Sequence, residues 1–155
     1  MASSSASRFP ALRDPALLIA RLVVGVVFMA HGWQKIGQNG LGATTQGFEG
    51  MGIPAPGIAA PVVAFAELIG GALLILGLFT GLAGVVLAVD MAVAAFMVHV
   101  PAGLFVAEGG WELVGVLGVS ALVLAAVGPG TIALDRFVGG GSTGRRSSAR
   151  SASAS

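Results

Sequence analysis

Four long apolar runs alternate with short polar or glycine-rich connections along the chain. A bilayer core of about 30 Å needs roughly 20 apolar residues in a helix. The runs at about 16–36, 58–79, 82–100 and 111–127 meet that need or come close to it. Each run is continuous, without the strand-to-strand alternation of a membrane barrel, so helix is the expected state. Pro61 falls near the start of the second run, Pro101 ends the third, and Gly128-Pro129-Gly130 ends the fourth. The expected fold class is an all-α membrane protein, a four-transmembrane-helix bundle. Thr80-Gly81 joins spans two and three tightly enough to make them antiparallel neighbours. The glycine- and proline-bearing segment 37–57 carries Phe48, Met51 and Ile53 and suits a short lid on the membrane surface.

Composition supports this reading. Hydrophobic residues make up 55% of the 155 and charged residues only 10%, against about a quarter charged in a soluble domain. Too few charges remain to cover a water-facing surface. The absence of cysteine excludes disulfides, thiolate metal sites and dithiol redox chemistry. Redox chemistry would therefore need a bound cofactor or a partner. Residues 1–15 form a polar segment, and the first apolar run has no clear cleavage site, so it is expected to be retained. Residues 138–155 read as a disordered Gly/Ser/Arg tail.

Charge distribution adds orientation. Arg8 and Arg13 precede span one, and Arg136, Arg145, Arg146 and Arg150 follow span four. Basic flanks mark the cytoplasmic side, so both termini are expected inside a plasma membrane. Trp33 and Trp111 then fall at the outer boundary, where indoles favour the headgroup level. Gly25 with Gly32, and Gly77-xxx-Gly81, would permit close helix packing.

Polar groups inside the spans carry the candidate chemistry, because charge within a bilayer is costly. Arg21 lies about 7 Å and Asp90 about 12 Å from the cytoplasmic end, and the expectation for them is a structural ion pair. In the outer half, His31 and Lys35 sit one turn apart on span one, and Glu67 is deep on span two beside Gly70-Gly71. His99 ends span three and Glu112 opens span four. His31, Lys35, Glu67, His99 and Glu112 are the ligand-binding candidates. Reaching for headgroups is the competing reading for His99 and Glu112. Asp90 and His99 are nine residues apart, about 180° around an ideal helix, which predicts two separate sites.

The spacing matches no metal motif, nothing demands haem, and no hydrolase elbow is present. A quinone fits better, since it needs an apolar slot with one or two polar groups at headgroup depth. The alternatives are a small-solute carrier, acting as an oligomer, and a membrane scaffold for a soluble partner. The expected partners are lipid, a quinone, redox proteins and a second copy of the chain. A nucleic-acid partner is not expected.

Several motifs in order resemble the DoxX family of small bacterial membrane proteins. They begin with Ala20-Arg21, Gly25, Phe28 and His31-Gly32-Trp33-Gln34-Lys35. Met51-Gly52-Ile53-Pro54-Ala55-Pro56 comes next, then Glu67-Leu68-Ile69-Gly70-Gly71 and Leu76-Gly77-Leu78-Phe79-Thr80. Gly128-Pro129-Gly130 and Leu134-Asp135-Arg136 close the pattern, which covers about residues 16–137. The resemblance implies a four-helix membrane bundle. It also implies a link to the membrane subunit of a thiosulfate:quinone oxidoreductase and to redox stress. Among site residues it extends to Arg21, Lys35 and Glu67.

Overall fold

The computed structural model describes residues 10–138, and the described residues contain helices and no strand. The expectations for residues 1–9 and for the tail beyond 138 lie outside them. Helix α1 runs Pro10–Trp33 and continues through a π-helical turn, Gln34–Gln38. A short α2 (Leu41–Gly50) fills much of the connection to α3 (Pro56–Leu76). Helix α4 (Thr80–Ala94) continues through a second π turn, Ala95–His99. Two short 3-10 turns lead to α5 (Glu112–Val127), and a single turn, α6 (Asp135–Val138), comes last.

Three helical stretches, Ala11–Gln38, Pro56–Leu76 and Thr80–Ala102, are long and apolar enough to cross a membrane. Helix α5 is apolar but has 16 residues, which gives about 24 Å. The long helices pack in antiparallel order around one core. Helix α1 lies mainly on α3, and α4 mainly on α5. Thinner α3–α4 and α1–α5 contacts complete the ring. Phe28, Leu74, Leu87, Ala121 and Leu124 are buried at its centre. Val23, Val26, Val62, Leu82, Val89, Val116 and Val119 point outward and are exposed. An apolar exterior around an apolar core suits lipid rather than water as the solvent.

Small residues set the helix spacing. A methyl group added at Gly71 would lie 2.6 Å from the Gly25 carbonyl oxygen, and one at Gly32 would lie 2.5 Å from the Leu68 nitrogen. The α1 and α3 backbones therefore touch, as expected for Gly25 and Gly32. The Gly77-xxx-Gly81 pair does not act this way. Gly77 ends α3 in the left-handed conformation (φ 64°), and a methyl group added at Gly81 would come only to ordinary contact, 3.9 Å from the Ala125 carbonyl oxygen of α5. The α3–α4 connection is accordingly Gly77–Phe79 rather than Thr80-Gly81. The helix stops at Leu76 because Gly77 adopts the cap conformation that L-residues resist.

Arg21 organises this end of the bundle. Its side chain is 1% exposed. Nε donates to the Leu74 carbonyl (3.0 Å) and Nη2 to the Ile75 carbonyl (3.3 Å). Nη1 donates to the carbonyls of Ile132 (2.9 Å) and Pro129. The Leu74 carbonyl also accepts from the Gly77 nitrogen of the cap (3.1 Å), and a cation at this end opposes the negative end of the helix dipole. Arg21 thus staples the C-terminus of α3 to the Gly-Pro-Gly segment. Asp135 serves the adjacent end in the opposite sense, accepting from the backbone nitrogens of Phe79 (2.7 Å) and Thr80 (3.1 Å) at the start of α4. The expected Arg21–Asp90 ion pair is therefore corrected. Backbone carbonyls take up the guanidinium, and Asp90 belongs to the other half of the bundle.

Candidate functional site

The other half contains a cavity of about 350 Å³. Its walls come from every major element: Phe28 of α1, Phe48 of α2, Val63 of α3, Met91 of α4 and Leu117 of α5 are among them. Five titratable side chains reach the same space: His31, Lys35, Glu67, Asp90 and His99. Size and lining both fall within the range of small-molecule sites, which are mostly apolar with a few polar groups.

Lys35 and Glu67 form the central polar feature. Lys35 Nζ donates to Glu67 Oε2 at 2.5 Å. It is the one salt bridge among the described residues. The Glu67 side chain is 4% exposed and that of Lys35 19%. Both positions stem from local structure. Glu67 lies one turn before Gly71, where α3 meets α1 at backbone contact, and before Gly70, which faces the Leu87 side chain of α4. Lys35 sits in the π turn that continues α1. The Lys35 carbonyl also accepts from Thr44 Oγ1 (2.9 Å), which ties the start of α2 to this turn. Helix α2 then brings buried Phe48 to the cavity. The segment 37–57 is thus a helix-bearing cover.

Asp90 shares this cavity. Its Oδ2 is buried and has no hydrogen-bond partner. His99 also faces the cavity, and its Nδ1 lies 2.7 Å from the Gly109 carbonyl oxygen. A carbonyl only accepts, so Nδ1 carries the proton and Nε2 of the neutral ring keeps its lone pair. The prediction of two sites on this helix is corrected by the π turn at Ala95–His99. Such a turn takes in one residue more than an α turn, which rotates the residues at its far end by roughly 100° relative to an ideal helix. His99 thereby returns to the face of Asp90.

Glu112 is the candidate that stands apart. It does not line the cavity, and its Oε1 accepts from the Val106 nitrogen at 2.7 Å. It shapes the connection between α4 and α5. Sequence reasoning therefore named four residues that line this cavity, named Glu112 beside them, and assigned Asp90 elsewhere. The signal for Asp90 was its being an acid in an apolar run. The error lay in pairing it by depth alone. Among the described residues, no group of three or more His, Asp or Glu is arranged to hold a metal ion.

An apolar exterior, a packed core and a half-bundle cavity with a buried ion pair define a small multi-pass membrane protein with a ligand-sized, mostly apolar pocket. A family comparison identifies the type. The DoxX family model matches residues 16–100, and the chain belongs to the DoxX family. It is 37% identical over 123 residues to a Haemophilus influenzae (strain ATCC 51907 / DSM 11121 / KW20 / Rd) protein named "Uncharacterized protein", covering 77% of this chain and 87% of the relative. It is 34% identical over 121 residues to a Bacillus subtilis (strain 168) protein named "Putative oxidoreductase CatD", covering 78% of this chain and 85% of the relative. No solved structure matches the chain.

Proposed function

We propose that the chain is a membrane subunit of a quinone-linked oxidoreductase system of the bacterial plasma membrane, with both termini cytoplasmic, and that the quinone ring binds in the Lys35–Glu67 cavity. The observation that carries this reading is the buried Lys35–Glu67 pair set in an otherwise apolar cavity. An isolated salt bridge in such surroundings is weak evidence for stability alone, since its desolvation offsets most of its attraction. A ligand that uses the charges gives it a purpose. The name of the Bacillus subtilis relative points in the same direction.

The residues fit a quinone ring. Phe28 and Phe48 offer flat apolar surface, and Met91 and Leu117 fill around it. The Lys35 ammonium has three protons and gives one to Glu67, so it keeps donors for a carbonyl oxygen. His31 and His99 add ring nitrogens on the same cavity. A bound quinone would supply an acceptor of electrons and protons. The chain's own part is to orient the ring, exclude water and hold protons at Lys35, Glu67 and the histidines.

The test is gentle extraction into native nanodiscs, followed by mass spectrometry and absorbance of the lipid-soluble fraction. The expected result is a stoichiometric quinone in the wild-type chain and little in a Glu67→Gln variant that elutes as a folded species. A wild-type chain that holds no quinone, and binds none when it is added in excess, would overturn the reading. Transport of a solute into liposomes by the chain alone would then favour a carrier, and unaltered partner binding in Glu67→Gln a scaffold.

A further inference from the structure

The cavity holds one acid that the Lys35–Glu67 pair does not account for. Asp90 lines the wall, and its Oδ2 is buried without a hydrogen-bond partner. A buried carboxyl left without a partner is costly, and native proteins seldom keep one without a reason. The site is therefore complete only when something hydrogen-bonds to this group. Lys35 is engaged with Glu67, and Arg21 is engaged with four backbone carbonyls.

We propose that Asp90 is the specificity-determining residue of the cavity and selects the hydroxyl-bearing, reduced ring (a hydroquinone) over the oxidised quinone. This rests on the reading of the cavity as a quinone site. The reason is donor and acceptor chemistry. An ionised carboxylate is an acceptor only. A hydroquinone hydroxyl donates to it. A quinone offers only carbonyl oxygens, which an ionised Asp90 repels. Protonation inverts the preference, since a carboxylic acid donates to a carbonyl. The hydroquinone preference is therefore greatest where Asp90 is ionised and declines as pH falls through its titration.

Other titratable groups line the same cavity. His31 and Lys35 come from α1 and its π turn, Glu67 from α3, and His99 from the π turn after α4. Helices α2 and α5 and the intervening loops contribute only uncharged residues there. A pH profile alone would not single out Asp90, whereas its isosteric amide does.

The experiment is equilibrium binding of a short-tailed benzoquinone and of its hydroquinone to the full chain in nanodiscs, from mildly acidic to mildly alkaline pH. The hydrogen bond to a charged acceptor should favour the hydroquinone by about tenfold or more at the alkaline end. In Asp90→Asn the ratio should fall to near unity at every pH, while Asp90→Glu should keep a pH-dependent preference. If Asp90→Asn does not elute as a folded species, Asp90→Ser carries the same comparison. A wild-type chain that binds both forms equally, or an Asp90→Asn chain that keeps the pH-dependent preference, overturns the role of Asp90 and leaves the quinone site standing. Binding of neither form to the wild type removes the quinone site and this inference with it.

Discussion

Replacing Glu67 alone should damage the protein more than replacing Glu67 and Lys35 together. The Glu67 carboxylate is 4% exposed and its only salt-bridge partner is Lys35. Lys35→Met would leave that carboxylate buried without its cation, and breaking such a pair costs about 3–5 kcal/mol. Glu67→Met would leave the ammonium alone. At 19% exposure Lys35 can lean toward water, so the cost should sit near the lower end, about 3 kcal/mol. The double variant removes both charges and puts two flexible apolar side chains in their place. It should lie within about 1–2 kcal/mol of the wild type, as buried ion pairs replaced by apolar groups often do. The assay is reversible unfolding in mixed micelles, monitored by circular dichroism, for the four chains of the double-mutant cycle. A double variant as destabilised as the sum of the singles would refute the reasoning, because it would mean that the charges are solvated independently. The cycle also bears on ligand tests. Both Glu67→Ala and Glu67→Gln remove the counter-charge of Lys35, but Glu67→Gln keeps the side chain's size and a carbonyl acceptor for the ammonium, which makes it the better probe.

Two further outcomes concern helix packing and the other half of the bundle. Arg21→Met should destabilise by about 3 kcal/mol or more, since charged donors to buried carbonyls contribute roughly 1.5–3 kcal/mol each without full additivity; in a cycle with Asp90→Asn the two effects should add, whereas a coupling above about 1 kcal/mol would restore a direct interaction. Gly71→Ala should cost about 1–3 kcal/mol, because its methyl would meet the Gly25 carbonyl oxygen at 2.6 Å and the helices would have to part; unchanged unfolding of this variant would show that the α1–α3 backbones do not touch.

The architecture was legible because it depends on properties that survive averaging along the chain. Span length and apolar continuity fix which segments are helical in lipid, and those at 58–79 and 111–127 differ from the observed helices by only a few residues at the ends. Gly25, Gly32, Gly70 and Gly71 were readable as contact points because only a missing side chain allows that approach. The fine structure of the ends was less legible. Gly77 and Gly81 have the same spacing as a packing motif, yet a left-handed cap conformation takes Gly77 out of the helix. Helix α2 was not assigned within 37–57, since the short segment Leu41–Gly50 carries three glycines and little periodic signal.

The site was readable as a set of residues but not as a geometry. Depth along a helix can be counted at 1.5 Å per residue, which put His31, Lys35, Glu67, His99 and Glu112 at one level, and the first four line one cavity. Direction around the helix cannot be counted in that way once the helix changes its winding. Both π turns, Gln34–Gln38 and Ala95–His99, lie at the cavity end of the bundle, and each contains one of its polar residues, Lys35 in the first and His99 in the second. An ideal helix would set His99 opposite Asp90. The unwound turn instead keeps Asp90 and His99 on one cavity. Arg21 meanwhile has its own partners, because Asp90 lies ten residues into α4, about 15 Å beyond the end that Arg21 staples. Distance along α4 thus explains why the expected ion pair does not form, and the π turn explains why His99 shares a cavity with Asp90, whose Oδ2 has no protein partner. Strained or irregular helix is retained where a ligand uses it, and here the irregular turns mark the same half of the bundle as the buried charges.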